Sequence, residues 1–216
     1  IAKIFTEKNL KSVIIRKFYE DHQDEYSFIK FYFKDLIISE NRKIAIKEAQ
    51  DKSYDIAILD DGFQDYTIAK NFNIICFNQR QMIGNGMVIP SGPLREKINS
   101  LKRAQLVMIN GRKDAIFEKK IFEVNKDAEI FYSNYHPTNL NDFKNKKLLA
   151  ISGIGNPSNF FNLLSSYGLI VSKKFSFPDH YDFSKVELEN FVKLAQKNNY
   201  QIIMTEKDYF RIQKYN

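Results

Sequence analysis

The chain has 216 residues, of which 44% are hydrophobic, so it is long enough for one large or two small domains with a real core. Its single cysteine excludes an internal disulfide, and together with only three histidines it disfavours a Cys/His zinc cage. A net charge of +7 suits an anionic partner, such as a nucleotide, a nucleic acid or an acidic lipid surface, although a lysine-rich solvated surface would account for it equally well.

Short β-rich segments alternate with helical patterns along most of the chain. From the first residue to the middle of the chain the predicted elements are helix IAKIFTEKNL, strand KSVIIRKF, helix DEYSFIKFYF, strand DLIIS, helix NRKIAIKEAQDK, strand YDIAILD, strand FNIICFN, helix REKINSLKRA and strand AQLVMING. The nearly continuous apolar character of YDIAILD favours a strand covered on both faces, and Cys76 in the next strand is expected to be buried. This βαβ rhythm predicts an open α/β sheet.

The pattern breaks between residues 133 and 147, where a polar segment predicts a linker. It then resumes with strand LLAIS, helix SNFFNLLSSYG, strand LIVSKKFSF, helix KVELENFVKLAQKN and strand QIIMT. We therefore expect two α/β domains, at residues 1–135 and 146–216. The chain starts without methionine, within a helical pattern, and stops within another, which indicates a piece of a longer protein.

Two adjacent carboxylates, Asp60 and Asp61, follow the apolar run IAIL and precede Gly62. In an open α/β sheet, ligands bind at the carboxyl ends of strands, and a P-loop nucleotide enzyme places a Mg²⁺-directed acid there. An Asp-Asp-Gly turn that simply closes a strand is the structural alternative. The glycine-rich G-x-x-x-x-G-K-[ST] cradle of such an enzyme is absent from these 216 residues, and we would expect it before Ile1.

Three further stretches contain residues capable of chemistry. The rigid loop MIGNGMVIPSGPLRE ends in Arg95 and Glu96, and its guanidinium could meet a phosphate or simply form a surface charge pair. The loop FPDHYDF places His180 between two acids, as a general base or as an ordinary exposed histidine. The segment DHQDEY offers Asp24 and Glu25 before a helix, where acids also serve as plain caps.

Taken in order, these stretches resemble one family, the tetraacyldisaccharide 4′-kinases of lipid A synthesis. The pieces that carry the resemblance are DE at 24–25, ILDDGFQ at 58–64, GNG at 84–86, PSGPLRE at 90–96, SGIGNP at 152–157, PDHYDF at 178–183 and TEKD at 205–208. The resemblance implies a P-loop-type, mostly parallel sheet flanked by helices, with a second, smaller α/β domain. It also implies transfer of the γ-phosphoryl of ATP, with Mg²⁺, to the 4′-hydroxyl of a lipid A disaccharide 1-phosphate. The enzyme would act at the cytoplasmic face of the bacterial inner membrane.

The resemblance also suggests a role for individual residues. Asp24 corresponds to the carboxylate that accepts the proton of the sugar hydroxyl, with support from His180. Asp60 and Glu25 correspond to acids on the metal side, and Asp61 and Gln64 to residues that line the reaction centre. Arg95 and Glu96 correspond to residues near the phosphates. Arg42 corresponds to an arginine that contacts the phosphate of the substrate.

The sequence departs from the family at loops that shape the acceptor site. Asp65 stands where the family has a histidine, QDEY replaces G-D-E-P, and IRKFY keeps only Arg16 of S-R-G-Y-G. Two rival functions stay open: another P-loop phosphotransferase, or a non-catalytic basic domain that binds nucleic acid or anionic lipid. Because no RNA-recognition or helix-turn-helix signature is present, we expect no nucleic-acid partner. We further expect a monomer, and no activity from these 216 residues alone.

Overall fold

The computed structural model describes residues 1–215, and its elements alternate between strand and helix for most of that length. The strands are β1 (Ser12–Lys17), β2 (Leu36–Ser39), β3 (Ile56–Leu59), β4 (Ile74–Asn78), β5 (Leu106–Asn110), β6 (Glu129–Ser133), β7 (Lys147–Ser152), β8 (Ile170–Ser176) and β9 (Gln201–Met204). The α-helices are α1 (Ala2–Glu7), α2 (Gln23–Tyr32), α3 (Arg42–Asp51), α4 (Ala115–Val124), α5 (Pro157–Ser166), α6 (Lys185–Asn198) and α7 (Glu206–Ile212).

The chain divides into two compact units. The first contains Ile1–Phe18 and Asp35–His136, and the second contains Tyr19–Lys34 and the residues from Pro137 onward. The sequence places a single division between residues 135 and 146, whereas the packing also assigns α2 to the second unit. Helix α2 brings Asp24 and Glu25 with it, so both acids belong to the second unit.

The first unit contains two three-stranded parallel sheets, ordered β2-β1-β3 and β4-β5-β6. Strand β1 is central in its sheet, and its side chains Val13 and Ile15 are fully buried. They pack against α3, whose first turn is capped by Asn41. The second sheet packs its buried positions, Val107 and Ile109, against α4. Each sheet therefore has its own apolar core, which holds the carboxyl ends of its strands in place.

The second unit is built on a parallel sheet ordered β8-β7-β9. Its central strand β7, predicted as strand LLAIS, is buried from Leu148 through Ser152. One face packs on α5 and the other on α6, which begins with a reciprocal capping box between Ser184 and Glu187. Aromatic edge contacts join α2 to α7, where Phe210 lies 5.5 Å from Phe28 between ring centroids.

Several sequence-based expectations need correction. Strand β3 and the residue Cys76 of β4 are not buried as predicted: Ala57 and Cys76 are exposed. Among residues 1–215, both strands lie at the edge of their three-stranded sheets, where less of the fold packs around them than around a central strand. The predicted helix REKINSLKRA forms only a 3₁₀ segment, Ile98–Arg103. Helix α4 and strand β6 lie in a stretch for which no element was predicted.

None of the helices within residues 1–215 combines the length and apolar character required to cross a bilayer.

Candidate active site

The turn after β3 presents the adjacent aspartates of the first unit. The amide of Asp60 still donates to the carbonyl of Ile15 on β1, at 3.0 Å, so the turn begins directly at the sheet edge. Asp61 then adopts a left-handed conformation with φ of +54°, which aspartate tolerates better than most residues. At Gly62, a Cβ atom would lie 2.6 Å from Cβ of Leu59, so any larger residue would push the turn away from the strand.

Each aspartate of this pair contacts its own arginine. Asp61 contacts Arg95 through both carboxylate oxygens, at 2.5 and 2.6 Å from Nη1. Asp60 faces Nε of Arg16 at 3.3 Å. Because each carboxylate has its own cation, two neighbouring negative charges can coexist at the end of an apolar strand. Both aspartate side chains stay about half exposed, at 45% and 55%, and are therefore accessible to a ligand.

Arg42, at the start of α3, braces the same turn from inside. Its Nη2 donates to the carbonyl oxygens of Asp60 and Asp61, at 2.9 and 3.1 Å. Its Nη1 lies 3.5 Å from Asp65, and only 9% of its side chain is exposed. The resemblance assigns Arg42 to the phosphate of the substrate, whereas here its guanidinium is directed at backbone carbonyls and Asp65. Hydrogen bonding from Thr67, with a further contribution from Arg42, holds the pKa of Asp65 below its ordinary value despite partial burial.

Arg95 and Glu96, assigned near the phosphates, and Gln64, assigned to the reaction centre, line a single cavity of about 260 Å³ in the first unit. Side chains of β4 and Leu94 also line this cavity. The three come from two separate loops, so the structure brings together residues that sequence spacing alone keeps about thirty positions apart.

Sequence reasoning missed Arg103, which holds Glu96 in place. Arg103 Nη2 contacts both carboxylate oxygens of Glu96, at 2.8 and 3.0 Å, and its guanidinium lies 4.3 Å from the ring centroid of Phe63 and 4.5 Å from that of Tyr66. Tyr66 also donates its hydroxyl to Glu96 at 2.7 Å. Little in the sequence indicates that Arg103 contacts Glu96. The pattern predicts both residues within one regular helix, whereas Arg103 ends a 3₁₀ segment that starts at Ile98.

A second cluster lies in the second unit, where Asp24, Glu25 and His180 come together. His180 Nδ1 is 3.5 Å from Asp24 and its Nε2 is 3.8 Å from Glu25. The histidine occupies a left-handed backbone position, φ +57°, and its amide donates to Asp179. His22 stacks on it, with ring centroids 5.1 Å apart and planes tilted by 17°. These acids and the histidine, separated by more than 150 residues in the chain, therefore form one local acid–base group.

Helix α7 supplies cations to both acids of this cluster. Arg211 Nε donates to Asp24 Oδ2 at 2.7 Å, and Lys207 Nζ donates to Glu25 at 2.7 Å. Burial alone would raise the pKa of Asp24, but the hydrogen bond and charge of Arg211 outweigh it, so the pKa of Asp24 is lowered. Asp24 is consequently an ionised carboxylate at neutral pH. Lys207 and Arg211 were not predicted as site residues, although their i, i+4 spacing at the TEKD motif places them on one helix face.

The oxygen ligands suitable for Mg²⁺ differ between the two units. Magnesium is typically held by one or two carboxylates together with substrate phosphates and water. Asp60, half exposed at a strand end, fits that mode of binding. The oxygens of Glu25 instead face Lys207 and two histidines, which would compete with a metal ion. Within the described part of the chain, no group of three or more His, Cys, Asp or Glu side chains is arranged to hold a metal ion by itself.

The fold as a whole matches a solved structure. A crystal structure of LpxK from Aquifex aeolicus in complex with ATP covers the entire chain, and 73% of its own length is matched, with a TM-score of 0.67 and 22% sequence identity. The chain therefore shares the α/β fold of that structure, and the predicted fold class, mostly parallel strands flanked by helices, is confirmed.

Sequence comparisons narrow the class to one family. The family model described as tetraacyldisaccharide-1-P 4′-kinase matches residues 15–216. Tetraacyldisaccharide 4′-kinase of Pelagibacter ubique is 37% identical over all of this chain and 69% of its own length, and that of Rickettsia akari is 32% identical over all of this chain and 70% of its own length. The chain belongs to the tetraacyldisaccharide-1-P 4′-kinase family, as its motifs suggest, and it spans about 70% of the length of these relatives. Its class is that of kinases that transfer phosphate to an alcohol group.

Proposed function

We propose that the protein containing this chain transfers the γ-phosphoryl of ATP to the 4′-hydroxyl of a tetraacylated glucosamine disaccharide 1-phosphate. The observation that carries the proposal is the ionised Asp24 beside His180, in a chain of this family. Phosphoryl transfer depends mainly on positioning and charge neutralisation, with modest help from a base. An ionised carboxylate next to an imidazole supplies that help.

In the reaction, the acceptor hydroxyl loses its proton as its oxygen bonds to the γ-phosphorus, and the bond between that phosphorus and the β,γ-bridging oxygen breaks to release ADP. Asp24 takes the proton, and His180, 3.5 Å away, stabilises the group during the transfer. Arg95 and Glu96, which share the cavity of the first unit with Gln64, are the residues we place near the phosphates of ATP.

For the turn of adjacent aspartates, we propose two roles. Asp60 would hold Mg²⁺, which when bound neutralises charge on the phosphates, and Asp61 would line the reaction centre together with Gln64. The resemblance also assigns Glu25 to a metal, and Glu25 would have to give up its ion pair with Lys207 to bind one. We also propose that Arg42 contacts the phosphate of the acceptor. Its guanidinium now donates to the carbonyls of Asp60 and Asp61, so the two roles are alternatives.

The acceptor is a lipid, so we propose that the enzyme works at the inner-membrane surface, as a monomer. Basic charge on the protein would favour an anionic membrane. The same charge is the basis of the nucleic-acid alternative, which a filter-binding assay with a salt titration tests. Tight binding that weakens steeply with salt would favour that alternative over the kinase.

The decisive test is transfer of radiolabel from ATP to the purified disaccharide 1-phosphate. The assay uses the whole encoded protein reconstituted with membrane lipid, because the relatives extend beyond the region matched here. Labelled product from wild type, and a loss of product with Asp24→Asn, is the expected result. A folded protein that labels no such acceptor would exclude the proposed substrate, and a panel of other phosphate acceptors would then test for a different phosphotransferase.

A further inference from the structure

Arg211 is a buried cation that reaches the proposed base from another helix. Only 6% of its side chain is exposed, and its Nε donates to Oδ2 of Asp24 at 2.7 Å. His180 Nδ1 approaches the same oxygen, at 3.5 Å. The guanidinium and the imidazole therefore both lie on the Oδ2 side of the carboxylate, which distinguishes its two oxygens.

Hydrogen bonds to Gly153 and Asp208 also hold the guanidinium of Arg211. Its Nη1 donates to the carbonyl oxygen of Gly153 at 2.5 Å and to Asp208 at 2.9 Å. Asp208 is fully buried and accepts hydrogen bonds from the amide of Gly153, at 3.1 Å, and the hydroxyl of Thr205, at 2.6 Å. A buried charge is tolerated only when it is paired and hydrogen-bonded, as it is here. The network leaves Arg211 with one position, and that position sets the orientation of Asp24.

The helices that carry the two residues are also packed together. Phe210, next to Arg211 on α7, contacts Phe28 and Phe31 of α2 edge-on, with ring centroids 5.5 and 5.2 Å apart. One turn earlier on α7, Lys207 binds Glu25, the neighbour of Asp24. Two ion pairs and two aromatic contacts thus fix the register of α7 against α2, so the distance from Arg211 to Asp24 does not depend on one flexible side chain.

We propose that Arg211 is a positioning residue for the phosphoryl-transfer reaction: it holds Oδ2 of Asp24, so that Oδ1 accepts the proton of the acceptor hydroxyl. The inference rests on the proposed function, because it assigns Asp24 as the base. A planar guanidinium can donate to Asp24, Gly153 and Asp208 at once through nitrogens of fixed geometry, whereas a lysine ammonium provides a single point charge. Arg211 does not contact the reacting atoms and acts only through Asp24.

The test is a double-mutant cycle on the whole encoded protein with Arg211→Lys and Asp24→Asn. Misplacement of a catalytic group by about 1 Å can cost about 100-fold, so Arg211→Lys, which keeps the charge, should lower kcat by about tenfold and change KM for ATP by less than about twofold. In the Asp24→Asn background, Arg211→Lys should cause no further fall in kcat. Lys214→Met, which removes an exposed ion pair with Asp182, is the matched control and should leave kcat unchanged.

The cycle has clear opposing outcomes. An equal fall in kcat in both backgrounds, a change in KM alone, or no change from Arg211→Lys would overturn the inference. Thermal unfolding of the same four proteins provides a readout independent of the acceptor: Arg211→Lys should lower the unfolding midpoint more in wild type than in the Asp24→Asn background. If folded wild type transfers no phosphate, the proposed function fails, and equal midpoint shifts in the two backgrounds would then show separately that Arg211 does not hold Asp24.

Discussion

Replacing Arg42 with methionine should loosen the turn that presents the two adjacent aspartates. Methionine keeps most of the aliphatic packing but removes two hydrogen bonds, to the carbonyls of Asp60 and Asp61 at 2.9 and 3.1 Å, and the 3.5 Å ion pair with Asp65. A hydrogen bond involving a charged group contributes about 1.5–3 kcal/mol, and partly exposed carbonyls regain some of that from water. We therefore expect Arg42→Met to lower the free energy of unfolding by about 2–4 kcal/mol.

Thermal unfolding followed by circular dichroism measures this loss. For a protein of this size, 1 kcal/mol corresponds to about 2–4 °C, so the unfolding midpoint should fall by roughly 5–15 °C. Lys43→Met, at the next and exposed position of α3, is the matched control and should shift the midpoint by less than about 2 °C. Kinetic measurements on both variants should show a fall in kcat for Arg42→Met, because Asp60 and Asp61 lose their fixed orientation.

The competing role for Arg42 gives the opposite pattern. If its guanidinium binds the phosphate of the acceptor, Arg42→Met should raise KM for the acceptor while the unfolding midpoint stays close to that of wild type. That result would refute the bracing role inferred from the hydrogen bonds, and it would support the assignment that comes from the family resemblance.

Three further predictions concern the turn and the base. Asp24→Asn should lower kcat by about 10²–10⁴-fold with little change in the dissociation constant for ATP, and equal losses in both would contradict its role as base. Gly62→Ala should destabilise the protein by about 1–3 kcal/mol in urea unfolding, because its Cβ would lie 2.6 Å from Cβ of Leu59; unchanged stability would mean that the turn can shift freely. The pKa of Asp24 is lower in the folded than in the unfolded protein. The stability that the ionised Asp24 contributes is therefore fully present above its unfolded-state pKa of about 3.9, and it is lost as the pH falls through the folded-state pKa. The stability difference between wild type and Asp24→Asn should therefore shrink below about pH 4 in urea unfolding measured across pH, and a difference that grows on acidification would reverse this assignment.

Local patterns in the sequence predicted most of the elements. Short apolar runs marked β1, β3 and β7, because strand periodicity is a property of neighbouring residues. Burial was less predictable. The runs at β3 and β4 are apolar like those of the central strands, yet Ala57 and Cys76 are exposed. Both strands lie at the edge of their sheets, and the composition of a strand does not encode its position in a sheet.

By itself, the sequence determined the α/β class, the kinase family and the identity of the acids and the histidine at the proposed site. Only the tertiary structure decided which cations meet those acids: Arg211 lies 187 residues from Asp24 in the chain, and Lys207 lies 182 residues from Glu25. Ion-pair partners are selected by the packing of distant elements, which no local spacing specifies. The charge state and orientation of the proposed base therefore depend on α7 packing against α2.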